Sequence, residues 1–387
     1  MSEPAGTLFP DAPEVAASEP RHSTGILPSH VIRELVRGRE IQATTDIEED
    51  QIQPASIDLR LGPVAYRVRA SFLPGPEATV SDKIESLGMH RVELAQGAVL
   101  EKGCVYIVPL MEHLRLGARV WGIANPKSST GRLDIFTRLI TDNAAEFDRV
   151  RGGYEGPLYA EISPRAFSII VRQGSRLNQL RLRRGSHAYT DSALRRLHEQ
   201  VGLIDRDLGR DDISNGLPLT IDLEGDPETG LVGYKAMPHT GLIDVDKVGH
   251  YDVADFWQPI TAQKARGIIL NPNDFYIVTS KEAVTVPPDH AAEMVAYDTL
   301  VGEFRVHYAG FFDPGFGHAA GGGAGTKAVL EVRSHEVPFL VENGQMVGRL
   351  IYERLTELPD KLYGAGIGSS YQRQGLALSK QFRAPSG

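Results

Sequence analysis

The chain has 387 residues and a formal charge of −9 at neutral pH. This acidic balance excludes a general nucleic-acid binder, whose surface would be basic, and no apolar run is long enough to predict a membrane span. The single cysteine, Cys104, excludes an internal disulfide and a Cys-x-x-Cys zinc site, and it predicts a reducing, cytoplasmic location.

The first half of the chain is predicted to form a β-rich domain over residues 25–190. Residues 1–24 are rich in Ala, Glu, Pro and Ser without periodicity, so we expect a disordered tail. A short amphipathic helix follows, with Ser29 as its N-cap and Gly38 at its end. Alternating or β-branched runs then predict short strands at 55–61, 64–68, 99–109, 119–123, 158–162, 167–171 and 177–182.

The second half repeats the first. A capped helix is predicted at 191–201, ending at Gly202, and with a polar connector it fills residues 191–216 before a second β domain at 217–387. An offset of 170 superimposes three parts of the two halves: 100–108 on 270–278, Glu161 on Glu331, and 170–174 on 340–344. Three matches at one spacing predict a tandem duplication.

Candidate site residues are divided between the two copies. Residues 125–132, N-P-K-S-S-T-G-R, combine hydroxyls with cations, a pattern that suits a phosphate chain but is also typical of a solvated loop. The equivalent segment at 297–302 lacks the serines and the arginine. Conversely, F-D-P-G-F at 312–316 has no counterpart at 150–154. Each copy therefore holds part of a site.

Taken together, these motifs resemble the dCTP deaminase branch of the dUTPase-like superfamily. The similar segments are P-A-S-I-D-L-R-L-G at 54–62, K-S-S-x-x-R at 127–132, H-Y-A-G-F-F-D-P-G-F at 307–316, the two strand glutamates and Y-Q-R-Q-G at 371–375. The resemblance covers most of residues 25–380 in a double-length, tandem form. It implies a mainly β fold with a few short helices, built from two distorted β-barrel (β-clip) domains. Such barrels assemble in threes with nucleotide sites at their interfaces, so a homo-oligomer is expected, in its simplest form a trimer of two-domain chains.

The resemblance also implies roles for individual residues. The loop residues would hold the triphosphate and help to fix the catalytic water, Asp313 would bond the deoxyribose 3′-hydroxyl, and Phe316 would lie beneath the sugar. A lid would fold over the phosphates, although Ser369 and Ser370 stand where such lids usually carry a lysine. The implied substrate-binding residues are Lys127, Ser128, Ser129, Arg132, Ala309, Asp313, Phe316, Tyr363, Tyr371, Gln372 and Gln374.

Deamination at C4 of cytosine needs an activated water, and the chain lacks the cysteine ligands of a zinc deaminase. A carboxylate acting as general base and then acid is the remaining route. A strand glutamate could simply face solvent. Glu161 and Glu331 share one register in the two copies, however, and this favours a catalytic role. If the first-half loop covers the second-half pocket, Glu331 is the catalyst with Ser128 and Arg132, and Glu161 lies in a degenerate site. A site within the first half around Glu161 and Arg132 stays open.

The expected reaction is zinc-independent hydrolysis of dCTP to dUTP and ammonia in pyrimidine deoxynucleotide synthesis, with Mg²⁺ carried by the triphosphate and no protein metal site. The alternatives are dUTP pyrophosphatase activity, alone or after deamination, and a nucleotide-binding homologue whose sites have decayed. The glycine-rich stretch 317–325 lacks the order of a phosphate-binding P-loop, and we expect a flexible surface insertion there.

Overall fold

The computed structural model describes residues 22–185, 189–209, 212–262, 267–295, 304–306, 310–334, 336–364 and 375–384. Nearly all of the predicted N-terminal tail therefore lies outside the described residues. The predicted mainly β fold is confirmed, since short strands curl into sheets in both halves and the helices are few and short.

The first half contains three α-helices, a 3-10 helix at Glu49–Gln51 and thirteen strands within its described residues. These are β1 (Gly25–Ile26), α1 (Ser29–Arg37), β2 (Ile41–Ala43), β3 (Ile57–Arg60), β4 (Val64–Val68), α2 (Val80–Leu87), β5 (Gly88–Glu93), β6 (Ala98–Leu100), β7 (Val105–Arg115), β8 (Val120–Pro126), α3 (Ser128–Gly131), β9 (Ile135–Thr141), β10 (Arg149–Val150), β11 (Glu155–Pro164), β12 (Ile169–Val171) and β13 (Arg176–Arg184).

The second half begins with a helix and continues with strands. These are α4 (Asp191–Val201), β14 (Leu217–Asp222), β15 (Leu231–Ala236), β16 (Ile243–Asp244), β17 (Trp257–Thr261), β18 (Gly267–Leu270), β19 (Tyr276–Val284), β20 (His290–Val295), β21 (Phe304–Val306), β22 (Phe311–Phe312), β23 (Thr326–Ser334), β24 (Phe339–Glu342) and β25 (Met346–Arg354).

The two halves share one pattern of antiparallel pairing. In the first half β11 lies between β7 and β9, and β13 lies between β3 and β8. In the second half β23 lies between β19 and β21, and β25 lies between β14 and β20. Glu161 on β11 faces Ile107 across the β7 ladder, and Glu331 on β23 faces Ile277 across the β19 ladder. The two glutamates thus occupy equivalent positions.

Two large hydrophobic cores support the halves, and they are joined where second-half segments pack onto the first half. Strand β16 adds parallel to β12. Phe167 packs edge-on against Phe256 and Trp257, and both of these contact Phe382 near the chain's end. The C-terminal segment 375–384 therefore returns to the first-half core, which places it beside the 127–132 loop.

The predictions for the helix ends and for the connector are confirmed in part. Helix α4 is confirmed, with Thr190 as its N-cap and Gly202 in the left-handed conformation at its end. The prediction that Ser29 caps α1 is wrong: Pro28 is the N-cap, and the Ser29 hydroxyl donates to Asp360 instead. The connector after α4 is not a solvated linker throughout, because Leu203 and Ile213 are buried in the second core. Across the described ranges, no helix combines the length and apolarity that crossing a membrane requires.

Candidate active site

The 127–132 loop forms a single helical turn at the end of β8. Pro126 ends the strand, the N–H groups of Thr130 and Gly131 donate to the Lys127 carbonyl, and the N–H of Arg132 donates to the Ser128 carbonyl. The turn gives the loop two sides. Ser128 and Arg132 face a cleft shared with the second half, whereas Ser129 and Thr130 face a second cavity.

The cleft lies between the halves and has an empty volume of about 570 Å³, part of which is open to solvent. Its first-half wall is the loop itself. Its second-half wall comes from β20, from the turn around β22 and from β23. The predicted residues that line it are Lys127, Ser128, Arg132, Phe316, Glu331 and Tyr363. The structure therefore brings the first-half loop over the second-half glutamate.

Glu331 meets Arg132 inside this cleft. Its Oε1 lies 3.9 Å from Nε of Arg132, and both side chains are less than a tenth exposed. Burial raises the pKa of Glu331 to about 7, and the nearby Arg132 charge opposes that rise. A carboxyl with this pKa can accept and return a proton near neutral pH, as a general base and acid must.

An aromatic wall stands opposite the loop. The Phe316 ring packs edge-on against Phe312 at 5.1 Å and lies 5.5 Å from the Tyr363 ring. Such an apolar aromatic surface suits a sugar or a base, while Glu331 supplies the polar group.

The glycine-rich stretch supports this wall from behind at the buried Gly321, whereas Ala319, Ala320, Gly322 and Ala324 are exposed, as expected of a surface insertion. A Cβ added at Gly321 would lie 2.4 Å from the carbonyl oxygens of Gly315 and Tyr363. The Tyr363 N–H also donates to the Pro314 carbonyl at 2.8 Å. Backbone packs on backbone here, which requires residues without side chains.

Asp313 lies beside the cleft and does not line it. Nη2 of Arg181 donates to its Oδ1 at 2.8 Å, and Nη1 of Arg181 donates to the Ala292 carbonyl. Burial raises the pKa of Asp313, with the Arg181 charge opposing the rise. Sequence reasoning missed Arg181, although a charged residue inside a predicted strand, 177–182, was a usable signal.

Ion pairs fix both ends of the loop. Lys127 pairs with the buried Asp58 of the P-A-S-I-D-L-R-L-G segment. Beyond the loop, Asp134 pairs with Arg333, two residues after Glu331. Nη1 of Arg132 also donates to the carbonyl of Ala377 at 3.1 Å. These anchors come from segments far apart in the chain.

Glu161 occupies a different environment, beside Ser71 and Arg138. It is 1% exposed. Burial raises its pKa, and a hydrogen bond from Ser71 opposes the rise. Its nearby cations are Arg138 and Arg165, and the Arg138 guanidinium stacks on Phe136 and Phe147. The structure does not bring Arg132 and Glu161 together as an ion pair or in one of the cavities described.

Four predicted residues, Ala309, Tyr371, Gln372 and Gln374, lie outside the described residues. Among the residues that are described, no group of three His, Cys, Asp or Glu side chains is arranged to hold a metal ion.

Comparisons with known proteins identify both halves. The family model of the 2′-deoxycytidine 5′-triphosphate deaminase N-terminal domain matches residues 23–186, and that of the C-terminal domain matches residues 190–382. A crystal structure of 2′-deoxycytidine 5′-triphosphate deaminase from Agrobacterium tumefaciens is 57% identical, with a TM-score of 0.83. The match covers 86% of this chain and 100% of that chain.

Shorter relatives match part of the chain. A "dCTP deaminase, dUMP-forming" of Pseudarthrobacter chlorophenolicus is 31% identical over 142 residues, which is 34% of this chain and 70% of the relative. Another of that name, from Halobacterium salinarum, is 34% identical over 110 residues, or 27% of this chain and 52% of the relative.

Proposed function

Because the chain belongs to the 2′-deoxycytidine 5′-triphosphate deaminase family, we propose that it hydrolyses the 4-amino group of dCTP. The observation that carries this proposal is the pairing of Glu331 with Arg132 across the two halves, inside a cleft with an aromatic wall. One complete site per chain is the arrangement we propose, with Glu331 as the catalyst.

In the proposed reaction the Glu331 carboxylate takes a proton from water as the water oxygen bonds to C4. The proton passes to N3 of the ring, and a second transfer protonates the amine, which leaves as ammonia while the oxygen becomes the C4 carbonyl. Arg132 favours the charged form of Glu331 before the first transfer, and the Ser128 hydroxyl orients the water. Both lie on the cleft side of the loop.

Lys127 and Ser129 bind the triphosphate, which brings its own Mg²⁺. Phe316 and Tyr363 hold the sugar, and Asp313, fixed by Arg181, bonds the 3′-hydroxyl. Ala309 and the tail residues Tyr371, Gln372 and Gln374 complete the substrate contacts in this proposal. No zinc is required in this route.

The product we propose is dUTP, as a step in pyrimidine deoxynucleotide synthesis. A second candidate is a reaction that continues to dUMP and pyrophosphate, and the names of the shorter relatives favour it. Incubation with dCTP and Mg²⁺, followed by chromatography of the nucleotides and assays for ammonia and pyrophosphate, separates the two. Ammonia without pyrophosphate supports dUTP, and both together support dUMP. Binding of dCTP without ammonia release would overturn the proposal in favour of a decayed homologue.

The proposed assembly is a homotrimer of two-domain chains in the cytoplasm. Light scattering should then give three times the chain mass of 42.3 kDa. A mass of one or two chains would contradict the trimer, and recovery of the native protein outside the cytoplasmic fraction would contradict the location.

A further inference from the structure

Arg181, on β13 of the first half, reaches across to the wall of the cleft in the second half. Its side chain is fully buried. Nη2 donates to Oδ1 of Asp313 at 2.8 Å, and Nη1 donates to the Ala292 carbonyl at 3.0 Å. Nη2 also donates to the Phe312 carbonyl at 3.4 Å, and the guanidinium stands 4.0 Å from the centre of the Phe311 ring. One first-half side chain therefore contacts the turn that carries Asp313 at several points.

These contacts hold together the strand and the turn that form the second-half wall. Ala292 on β20 and Phe312 on β22 face each other across their antiparallel ladder, and the guanidinium bonds both of their carbonyls. Phe311 and Phe312 line the cleft. A guanidinium presents its N–H groups in one rigid plane, so these bonds also fix the direction of the bond to Asp313.

The repeat shows that such a strand folds without an arginine at this position. Arg181 pairs with Ile123 on the β8 ladder. The residue at the equivalent position of β25 is Ile351, which pairs with Glu293 on β20. A buried ion pair is often no more stabilising than apolar side chains of similar volume. The arginine is therefore better explained by the pocket that it contacts than by the folding of its own strand.

The ion pair leaves one oxygen of Asp313 for a ligand. Oδ1 accepts from Arg181, and within the described part of the chain no group donates to Oδ2. Burial raises the pKa of Asp313, and the Arg181 charge opposes that rise and so favours the ionised form. An ionised carboxylate oxygen is a strong acceptor for a hydroxyl group.

We propose that Arg181 is a positioning residue that aims Asp313 at the 3′-hydroxyl of the nucleotide sugar, so that the first half sets the sugar specificity of the second-half pocket. The inference rests on the proposed function, in which Asp313 bonds that hydroxyl. Arg181 does not line the cleft and acts on the substrate only through Asp313.

The test compares dCTP with 2′,3′-dideoxycytidine triphosphate, which lacks only the 3′-hydroxyl. The readout is the ratio of the two kcat/KM values, because a general loosening of the pocket lowers both values together. Arg181→Met is the test variant. Arg183→Met is the matched control, since Arg183 is a buried cation on the same strand whose partners, Glu293 and Glu353, do not line the cleft.

The wild type should prefer dCTP over the dideoxy nucleotide roughly ten- to hundredfold, as expected for a hydrogen bond to a charged group. Arg181→Met should bring the ratio close to one, whereas Arg183→Met should keep the wild-type ratio. A ratio that is unchanged in Arg181→Met, or that falls equally in both variants, would overturn the inference.

Arg181→Lys covers the case in which Arg181→Met does not fold, because it keeps a cation beside the buried carboxylate. An ammonium group lacks the planar fork of the guanidinium, so the ratio should still fall below that of the wild type. A wild-type ratio in Arg181→Lys would show that the residue supplies only a charge to the fold, and the positioning role would be wrong.

Calorimetry with the same two nucleotides measures the preference without turnover. If the wild type binds dCTP more tightly, and Arg181→Met loses that preference, but no ammonia is released, the proposed reaction fails while the role of Arg181 stands. If the wild type releases ammonia from both nucleotides with equal kcat/KM, deamination stands and the inference fails.

Discussion

Asp134 in the first half and Arg333 in the second half form an ion pair with two contacts, each residue lying two positions beyond a member of the Arg132–Glu331 pair. Nε of Arg333 donates to Oδ1 of Asp134 at 3.2 Å, and Nη2 donates to Oδ2. Asp134 is fully buried. The pair therefore fixes where the loop meets the strand that carries Glu331.

Arg333→Met should destabilise the protein by about 3–5 kcal/mol, because it takes this partner from a buried carboxylate. It should also lower kcat for dCTP at temperatures where the variant is still folded, since Arg132 loses its alignment with Glu331. Thermal unfolding and kinetics measure the two effects. The control is Arg115→Met, whose pair with Glu155 is largely exposed and should contribute less than about 1 kcal/mol. Equal loss of stability in both variants would contradict the prediction.

Glu331→Gln should lower the rate of ammonia release from dCTP by roughly 10²–10⁴-fold, because the amide cannot act as a general base. Glu161→Gln is the matched control, with the same substitution at the equivalent strand position, and it should keep near wild-type activity. Equal losses in the two proteins would contradict the idea of one working site per chain.

The pH dependence of kcat/KM should show a rising limb with an apparent pKa near 7. Burial raises the pKa of Glu331 to about 7, and the base must be ionised to accept the water proton. Burial also raises the pKa of Asp148 to about 7. Asp148→Asn should leave the rising limb in place. If the limb disappears in that variant, it belongs to Asp148 and not to Glu331.

The free energy of unfolding should also depend on Glu331, but it should fall as pH rises. The pKa of Glu331 is about 7 in the folded state and has its ordinary value of 4.5 in the unfolded chain, so the folded protein binds the proton more tightly. Its contribution to the free energy of unfolding is present below pH 4.5 and is lost as pH rises through about 7. Denaturant titrations at several pH values should show this decline in the wild type relative to Glu331→Gln. Parallel curves would contradict it.

Gly321→Ala should raise KM for dCTP roughly tenfold and cost about 1–3 kcal/mol of stability, because the new methyl group would displace the backbone behind Tyr363. Gly241→Ala is the control, since its added Cβ would meet one ring atom of Phe256 at an ordinary 3.9 Å. Kinetics and thermal unfolding measure both variants, and an unchanged KM in Gly321→Ala would show that the wall tolerates displacement.

The sequence could predict the repeated strand order because the 170-residue offset fixes the register of Glu161 and Glu331 together. It could also predict that the 127–132 loop lies over the pocket of the other half, because the hydroxyls and cations are present in one copy. The one-turn helix α3 and the eight-residue helix α2 escaped notice. Helix α2 was missed although its signal is present: Thr79 caps it, and Val80, Ile84 and Leu87 recur at helical spacing on one face.

The supporting contacts could not be predicted. Asp134 and Arg333 are 199 positions apart, and no local pattern relates residues at that distance. The return of Ala377 and Ser379 to the loop depends on how the C-terminal segment packs, which local propensity does not determine. The tight packing at Gly321 could not be predicted either, because a glycine-rich sequence looks the same whether its backbone is exposed or enclosed.

The covalent link between the two halves has a consequence for how the protein behaves on dilution. A loop and a pocket contributed by separate chains dissociate as protein concentration falls. Within one polypeptide, their effective concentration is set by the chain itself. Specific activity should therefore stay constant at enzyme concentrations at which a site shared between separate chains would come apart.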